Sequence, residues 1–365
     1  NILKISISIL WLIPFLQLLI LKSFNLYWDK LETKLSLLVF PISILLSMKV
    51  TDEIINRLLK TFIIGCFLSC LICIGNSTYE YFILENKKSF FYNHLSIFHH
   101  SSYYSMFINF AIGLLYLNIT SKFKKFSINI YQSYFLTLFF TMMVVLISSR
   151  TGWITTFLLH FLFICYNIKN RSFNKRNVTL IFLTLSSFLL IKTLPSLNNR
   201  TKELTSNYKN ISTAPLLNNS KAQKLPKSSS STNARIIAWN SSFELIKKKP
   251  ITGYGTGISK SELKNLYNQS GHYVLRNKEL NPHNQFIQFQ LDHGLIGSFC
   301  LLFFTLIMLI LSLIEKDFLY ALFLTIIILN FMTESMLETQ SGVVFFAFFN
   351  TFFFYNWIDK KFNLN

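Results

Sequence analysis

From residue 133 to residue 168 the chain carries a single charged side chain, Arg150, in an otherwise mostly apolar run. Read as one helix, that run would extend roughly 54 Å at about 1.5 Å per residue, against a hydrocarbon core of about 30 Å. Two membrane spans joined by the polar turn Ser148-Ser149-Arg150-Thr151-Gly152 fit it better. Similar blocks recur at 5–21, 35–48, 58–74, 103–119, 178–194, 294–314, 318–332 and 342–358. Together they predict an all-α polytopic membrane protein of about ten transmembrane helices, with one long extracytoplasmic loop containing amphipathic helices. The expected organisation is membrane helices over 1–194, the outer loop over 195–293 and membrane helices over 294–365. Composition agrees, because 52% of residues are hydrophobic and 14% charged, where a soluble chain carries about a quarter charged.

The balance of 35 Lys+Arg against 16 Asp+Glu, formally +19, would suggest a nucleic-acid partner in a soluble protein. Here the basic residues sort by connection. Lys49, Arg57 and Lys60, then Lys122, Lys124 and Lys125, then Lys169, Arg171, Lys175 and Arg176 fall in alternate short connections, and Lys360 and Lys361 follow the last span. The positive-inside rule makes that face cytoplasmic and puts the Arg150 turn and the long loop outside. Nucleic acid is therefore not an expected partner; membrane lipid is. Lys22, Lys30 and Lys34 in the first outer connection run against the pattern. The run at 5–21 contains Pro14 and lacks a small-residue cleavage site, which makes it a span rather than a removed signal peptide, and the start at Asn1 rather than Met leads us to expect further residues upstream. Cys66, Cys70, Cys73, Cys165 and Cys300 all fall within spans, without His or acidic neighbours, and read as packing residues.

Within the loop, the stretch 210–233 is rich in Ser, Asn, Lys and Pro and reads as a linker. After it, 233–246 reads as an amphipathic helix capped by Asn233, with Ile236, Trp239, Phe243 and Ile246 on one face and Lys247–Lys249 at its negative end. Arg235 in the first turn opposes the dipole unless both face one anion. The glycines of Gly253-Tyr254-Gly255-Thr256-Gly257 permit tight turns or close backbone approach, and read as structural. Asn281-Pro282-His283-Asn284 reads as a second helix start, with Asn281 as cap and Pro282 first in the helix. Glu334 and Glu338, one turn apart at the outer end of the penultimate span, form a second polar pair.

These pieces resemble the O-antigen ligase/polymerase family of bacterial envelope glycosyltransferases, of the GT-C type. The match runs through Ser148-Ser149-Arg150-Thr151-Gly152-Trp153, Arg235 with Trp239, and Pro250 with Gly253-Tyr254-Gly255. It continues through Pro282-His283-Asn284 and Asp292-His293-Gly294-Leu295-Ile296-Gly297, and covers roughly 103 to the C-terminus. The resemblance implies transfer of a glycan from an undecaprenyl-diphosphate donor outside the bacterial cytoplasmic (inner) membrane, with the active site facing the periplasm. It maps the family's outer-loop arginine and histidine onto Arg235 and His283, and its turn arginine onto Arg150. Asp292 stands where the family often has Glu, and the insertion at 210–233 matches no motif.

The chemistry agrees with that mapping. A departing diphosphate needs a cation in the transition state. The outer segments contain no Asp-x-Asp motif, so no metal and no cofactor is expected. Arg150 and Arg235 are the expected diphosphate ligands, since guanidinium grips phosphate oxygens through paired donors. His283 is the expected general base for the acceptor hydroxyl. Glu334, Glu338, Asn284 and Tyr254 are supporting candidates, while His99, His100, His160, His272 and His293 read as packing or interfacial residues. The reading is an O-antigen ligase or polysaccharide polymerase acting by metal-independent, inverting single displacement on a lipid-linked or saccharide acceptor. A protein O-oligosaccharyltransferase is the close variant. A transporter or flippase of an anionic lipid-linked glycan is the rival class; it predicts interrupted midplane helices and an internal repeat.

Overall fold

The computed structural model describes residues 2–22, 24–47, 50–120, 128–169, 178, 182 and 231–362. Most of the expected span at 178–194 and of the linker at 210–233 lies outside those residues, as do Lys49, Lys122, Lys124, Lys125, Arg171, Lys175 and Arg176. Among the described residues every regular element is helical. After a short helical turn at Ile2–Ile5 and a 3-10 turn at Ser6–Ser8 these are, in chain order, α1 (Ile9–Ile20), α2 (Phe24–Thr33), α3 (Ser36–Ser47), α4 (Asp52–Ile83), α5 (Ser101–Ile119), α6 (Ile130–Ile147) and α7 (Arg150–Lys169). There follow α8 (Ser231–Lys248), α9 (Ile258–Gln269), α10 (Tyr273–Asn277) and α11 (Gln285–Leu302). A π-helical turn at Phe303–Ile307 leads to α12 (Met308–Ile314), then α13 (Phe318–Phe331), a 3-10 turn at Met336–Glu338 and α14 (Gln340–Lys361).

Among the described residues six helices are long and apolar enough to cross a bilayer: Leu3–Ile20, Asp52–Ile83, Ile130–Ile147, Arg150–Lys169, Gln285–Ile314 and Gln340–Lys361. Helices α3, α5 and α13 occupy the expected spans at 35–48, 103–119 and 318–332. Helix α4 outruns the expected 58–74 at both ends. Thr51 caps it by accepting from the Ile54 amide, Asp52 and Glu53 favour its positive end, and it continues to Ile83.

The chain forms two units. One comprises Val50–Arg200 and Asp317–Asn330, and so holds α4–α7 and most of α13. The break between α6 and α7 falls where the sequence places it: Ser148 adopts a left-handed conformation at φ 56°, and Arg150 opens α7. Small and polar side chains bring its helices close. A Cβ on Gly152 would lie 2.7 Å from Ser105 Cβ, and one on Gly113 would lie 2.6 Å from Leu322 Cδ1. Asn109 Nδ2 donates to Gly152 O at 3.0 Å and its Oδ1 accepts from Thr156 Oγ1 at 2.6 Å, the interhelical bonding expected of buried polar groups in a bilayer.

The other unit comprises Asn1–Lys49, Thr201–Lys316 and Phe331–Asn365. Helix α14 is buried along most of its length, with Phe345 edge-on to Phe349, Phe348 tilted against Phe352 and Phe349 stacked on Phe353. Lys4 pairs with Asp359 at 2.6 Å, and Tyr355 OH donates to Pro41 O at 2.8 Å. The segment that the sequence reads as the outer loop has a small core of Ala238, Leu245, Tyr254, Leu263, Leu266, Tyr267, Leu275 and Leu291.

Two helix expectations need correction here. Helix α8 begins at Ser231, so Asn233 lies inside its first turn rather than capping it. Its buried side carries Ala238, Ser242 and Leu245, whereas Phe243 is 47% and Ile236 36% exposed. The small residues at 238 and 242 allow close approach to the core, which the larger aromatic side does not. Helix α11 begins at Gln285, not at Pro282: Asn284 is the cap, its Oδ1 accepting from the Phe286 and Ile287 amides. Asn281 instead accepts from the His283 amide at 3.0 Å, an Asx turn that precedes the helix.

Candidate active site

Three chain segments of this unit meet around one carboxylate. Glu334 lies in the non-helical link between α13 and the 3-10 turn. Its Oε1 accepts from Arg235 Nη2 at 3.1 Å and its Oε2 is 2.8 Å from His283 Nδ1. The side chains of Arg235 and His283 are about one-third exposed, and that of Glu334 is 12% exposed. The site therefore opens outward from a largely covered acid.

Each partner is fixed locally. Arg235 and Trp239 lie four apart on α8 and so share a face. While Arg235 reaches Glu334, Trp239 Nε1 donates to Pro282 O at 2.6 Å, tying α8 to the turn that carries His283. His283 itself has φ 45°, a left-handed conformation uncommon for residues other than glycine. Such backbone persists where the surroundings over-determine it; here the Trp239 bond, the Asn281 turn and the Asn284 cap do so. Asn284 also donates through Nδ2 to Met332 O at 3.2 Å, two residues before Glu334.

A carboxylate only accepts hydrogen bonds, so the His283 proton belongs on Nδ1 and the ring lone pair on Nε2. Arg235 spends one nitrogen on Glu334, and a guanidinium has five N–H donors. The arrangement thus pairs a nitrogen able to accept a proton with a cationic fork suited to phosphate oxygens.

The sequence brought forward Arg235, His283, Asn284 and Glu334, and these the structure brings together. Glu338 departs from expectation: it sits in the 3-10 turn rather than on one helix face with Glu334, because α13 ends at Phe331, and it pairs with Lys34 at 2.7 Å. Tyr254 is packed in the outer core beneath the Lys249 ammonium, 4.7 Å from its ring centre, and burial raises its pKa. Arg150 belongs to the other unit, where it opens α7 beside Ser149, whose Oγ accepts from the Gly152 amide at 3.2 Å. In that unit His100 caps α5, His99 packs edge-on to Phe107 with its pKa lowered by burial, and His160 is buried against Thr156 O at 2.7 Å. In the outer segment burial also lowers the pKa of His272, which precedes α10. His293 is buried between Gln17 and Phe289. Among the described residues no three His, Cys, Asp or Glu are grouped as metal ligands.

Residues 135–302 match the family model of O-antigen ligase. Over that stretch the chain is similar to the O-antigen ligase family. That stretch takes in Arg150, Arg235, Trp239 and His283, and together with the apolar helices among the described residues it indicates a multi-pass membrane protein. No curated protein matches the chain. Sequence reasoning passed over Trp239 as a hydrogen-bond clamp, since an indole on an apolar face gives no sign of its donor's target. It also passed over Lys34 and Gln17, whose partners lie 304 and 276 residues away.

Proposed function

We propose that the protein transfers a glycan from an undecaprenyl-diphosphate donor to a saccharide acceptor on the periplasmic side of the bacterial inner membrane, as an O-antigen ligase or polysaccharide polymerase. The observation that carries this reading is the His283–Glu334–Arg235 constellation, of which Arg235 and His283 lie in the stretch similar to the O-antigen ligase family. His283 Nε2 takes the proton of the acceptor hydroxyl as its oxygen attacks the anomeric carbon. The bond from that carbon to the diphosphate oxygen breaks, and its electron pair leaves with the diphosphate. Glu334 holds the imidazole in the required tautomer and stabilises the imidazolium as it forms. Arg235 meets the charge growing on the leaving group, and Arg150 is proposed as a second diphosphate ligand on its turn motif. A single displacement inverts the anomeric centre, and arginine supplies the charge that a metal supplies elsewhere.

The test is transfer by the full chain in lipid, with undecaprenyl-diphosphate glycan as donor and separate saccharide, lipid-linked saccharide and protein acceptors, with and without chelator. Coupled release of undecaprenyl diphosphate that survives chelator, and that falls about 10²- to 10⁴-fold in His283→Ala, is the expected result. Retained transfer in His283→Ala, or abolition by chelator, overturns the proposed mechanism. Transfer to the protein acceptor alone would replace the saccharide reading with an O-oligosaccharyltransferase.

A further inference from the structure

Lys34, at the junction of α2 and α3, has no solvent exposure, a rare place for lysine. A buried ammonium is tolerated only when paired. Its Nζ donates to Glu338 Oε1 at 2.7 Å, with the Phe289 ring centre 5.9 Å away. We propose that Lys34 is a positioning residue for the Glu334–His283 pair, acting through Glu338; this rests on the transferase reading above.

The link between α13 and α14 carries Glu334 and is clasped at three points. Asn284 Nδ2 holds Met332 O at 3.2 Å, and Gln285 Oε1 accepts from the Leu337 amide at 2.6 Å. Both clasps come from the residues directly after His283, so they tie the acid to the histidine's own segment. Lys34 supplies the third clasp at Glu338, and it alone among the three works by full charge. Gly342 completes the fit, since a Cβ there would lie 2.2 Å from Met336 O. The buried carboxyl of Asp292 lies within electrostatic reach of both Lys34 and Glu338. Removing the ammonium leaves the Glu338 carboxylate without its cation, near the buried Asp292 carboxyl, and Glu338 is the one on a short turn able to swing out. That movement carries Glu334 with it, four residues upstream.

The experiment compares wild type, Lys34→Met, Glu338→Gln, Lys34→Met/Glu338→Gln and His283→Ala, each as the full chain reconstituted in lipid. Two quantities are read: transfer kinetics over a range of acceptor concentrations, and amide hydrogen exchange at 335–338. In Lys34→Met, kcat falls about 10- to 100-fold with KM unchanged, as expected of a misplaced catalytic group. Exchange at 335–338 rises in that variant while α9 stays at the wild-type level. The double variant removes the Glu338 charge together with the ammonium that balances it and regains most of both rate and protection. Glu338→Gln, which keeps the shape of the side chain, shows the same kcat loss in milder form and stands in if Lys34→Met does not accumulate. Wild-type rate and protection in both single variants overturns the proposal. So does a double variant as slow as Lys34→Met, because the ammonium would then act on substrate rather than on Glu338. If His283→Ala transfers like wild type, or wild type does not transfer, the transferase reading falls by itself and exchange at 335–338 decides the role of Lys34.

Discussion

Gly253 and Gly294 meet backbone to backbone: a Cβ on either would lie 2.7 Å from the other's amide nitrogen. Both adopt positive φ, 66° and 62°. The glycine-rich outer turn and the Asp292-His293-Gly294 segment are therefore two halves of one junction, sealed by Tyr254 N–H to Leu291 O at 2.9 Å and Gly255 N–H to Asp292 O at 2.8 Å.

Alanine at either glycine therefore meets strained backbone and a carbonyl, Asp292 O at 2.4 Å for Gly253 and Ile251 O at 2.1 Å for Gly294. The backbone strain alone costs about 1–3 kcal/mol. Thermal melting in detergent should show Gly253→Ala and Gly294→Ala both clearly destabilised. Gly65→Ala in α4 is the control: nothing lies within 4 Å of its added carbon, and a helix interior prefers alanine by roughly 0.5–1 kcal/mol.

Glu334→Gln keeps the size of the side chain and removes the charge shared by Arg235 and His283. Turnover should fall about 10²- to 10⁴-fold through loss of the oriented imidazole, without a comparable loss of melting temperature. An unchanged kcat would detach Glu334 from the chemistry.

Acid should loosen the α9–α10 region in a defined window. Hydrogen bonds from Lys260, then Lys264, hold the Glu279 carboxyl down at about 2, from an ordinary value of 4.5. A carboxylate depressed on folding contributes stability above its unfolded pKa and loses it as pH falls through the folded one. Protease cleavage within 258–280 should accelerate as pH drops from about 4.5 towards 2, and Glu279→Gln should be sensitive already at neutral pH, with that acid dependence flattened.

The two sides of α8 should separate by mutation. Leu245 is 3% exposed and Phe243 47%. Leu245→Ala should cost about 2–5 kcal/mol, and Phe243→Ala within about 0.5 kcal/mol, read by chemical denaturation of the reconstituted protein. Equal losses would mean that the aromatic side is also buried.

What could be read from the sequence follows from the range of the forces involved. Among the described residues, helices stand at nine of the spans expected from the apolar runs, because span length is set by the bilayer and needs no partner. The Ser148–Arg150 break was legible for the same reason. Helix starts were less so: Asn281 and Asn284 both suit a cap, and only the Asx turn at His283 decides between them. Among the site residues, Arg235 and His283 stood out as isolated polar groups in recognisable motifs. The tie of Lys34 to Glu338 did not, since a pairing across 304 positions leaves no local periodicity. Lys34 looked merely like an exception to the charge pattern.

The break at Gly294 leaves backbone groups without helical partners, and the outer turn takes them up. Leu291 O and Asp292 O accept from Tyr254 and Gly255, and the Leu295 amide donates to Pro250 O at 3.0 Å. Gln17, from the first span, binds Thr252 O at 2.7 Å and Asp292 O at 2.9 Å. Because the chain is made from its N-terminus, Gln17 is in place early while the turn at 250–255 emerges before its acceptors at 291 and 292. The outer segment thus acquires its register only when the next span arrives, so order of synthesis, and not the segment's own sequence, sets when the site can assemble.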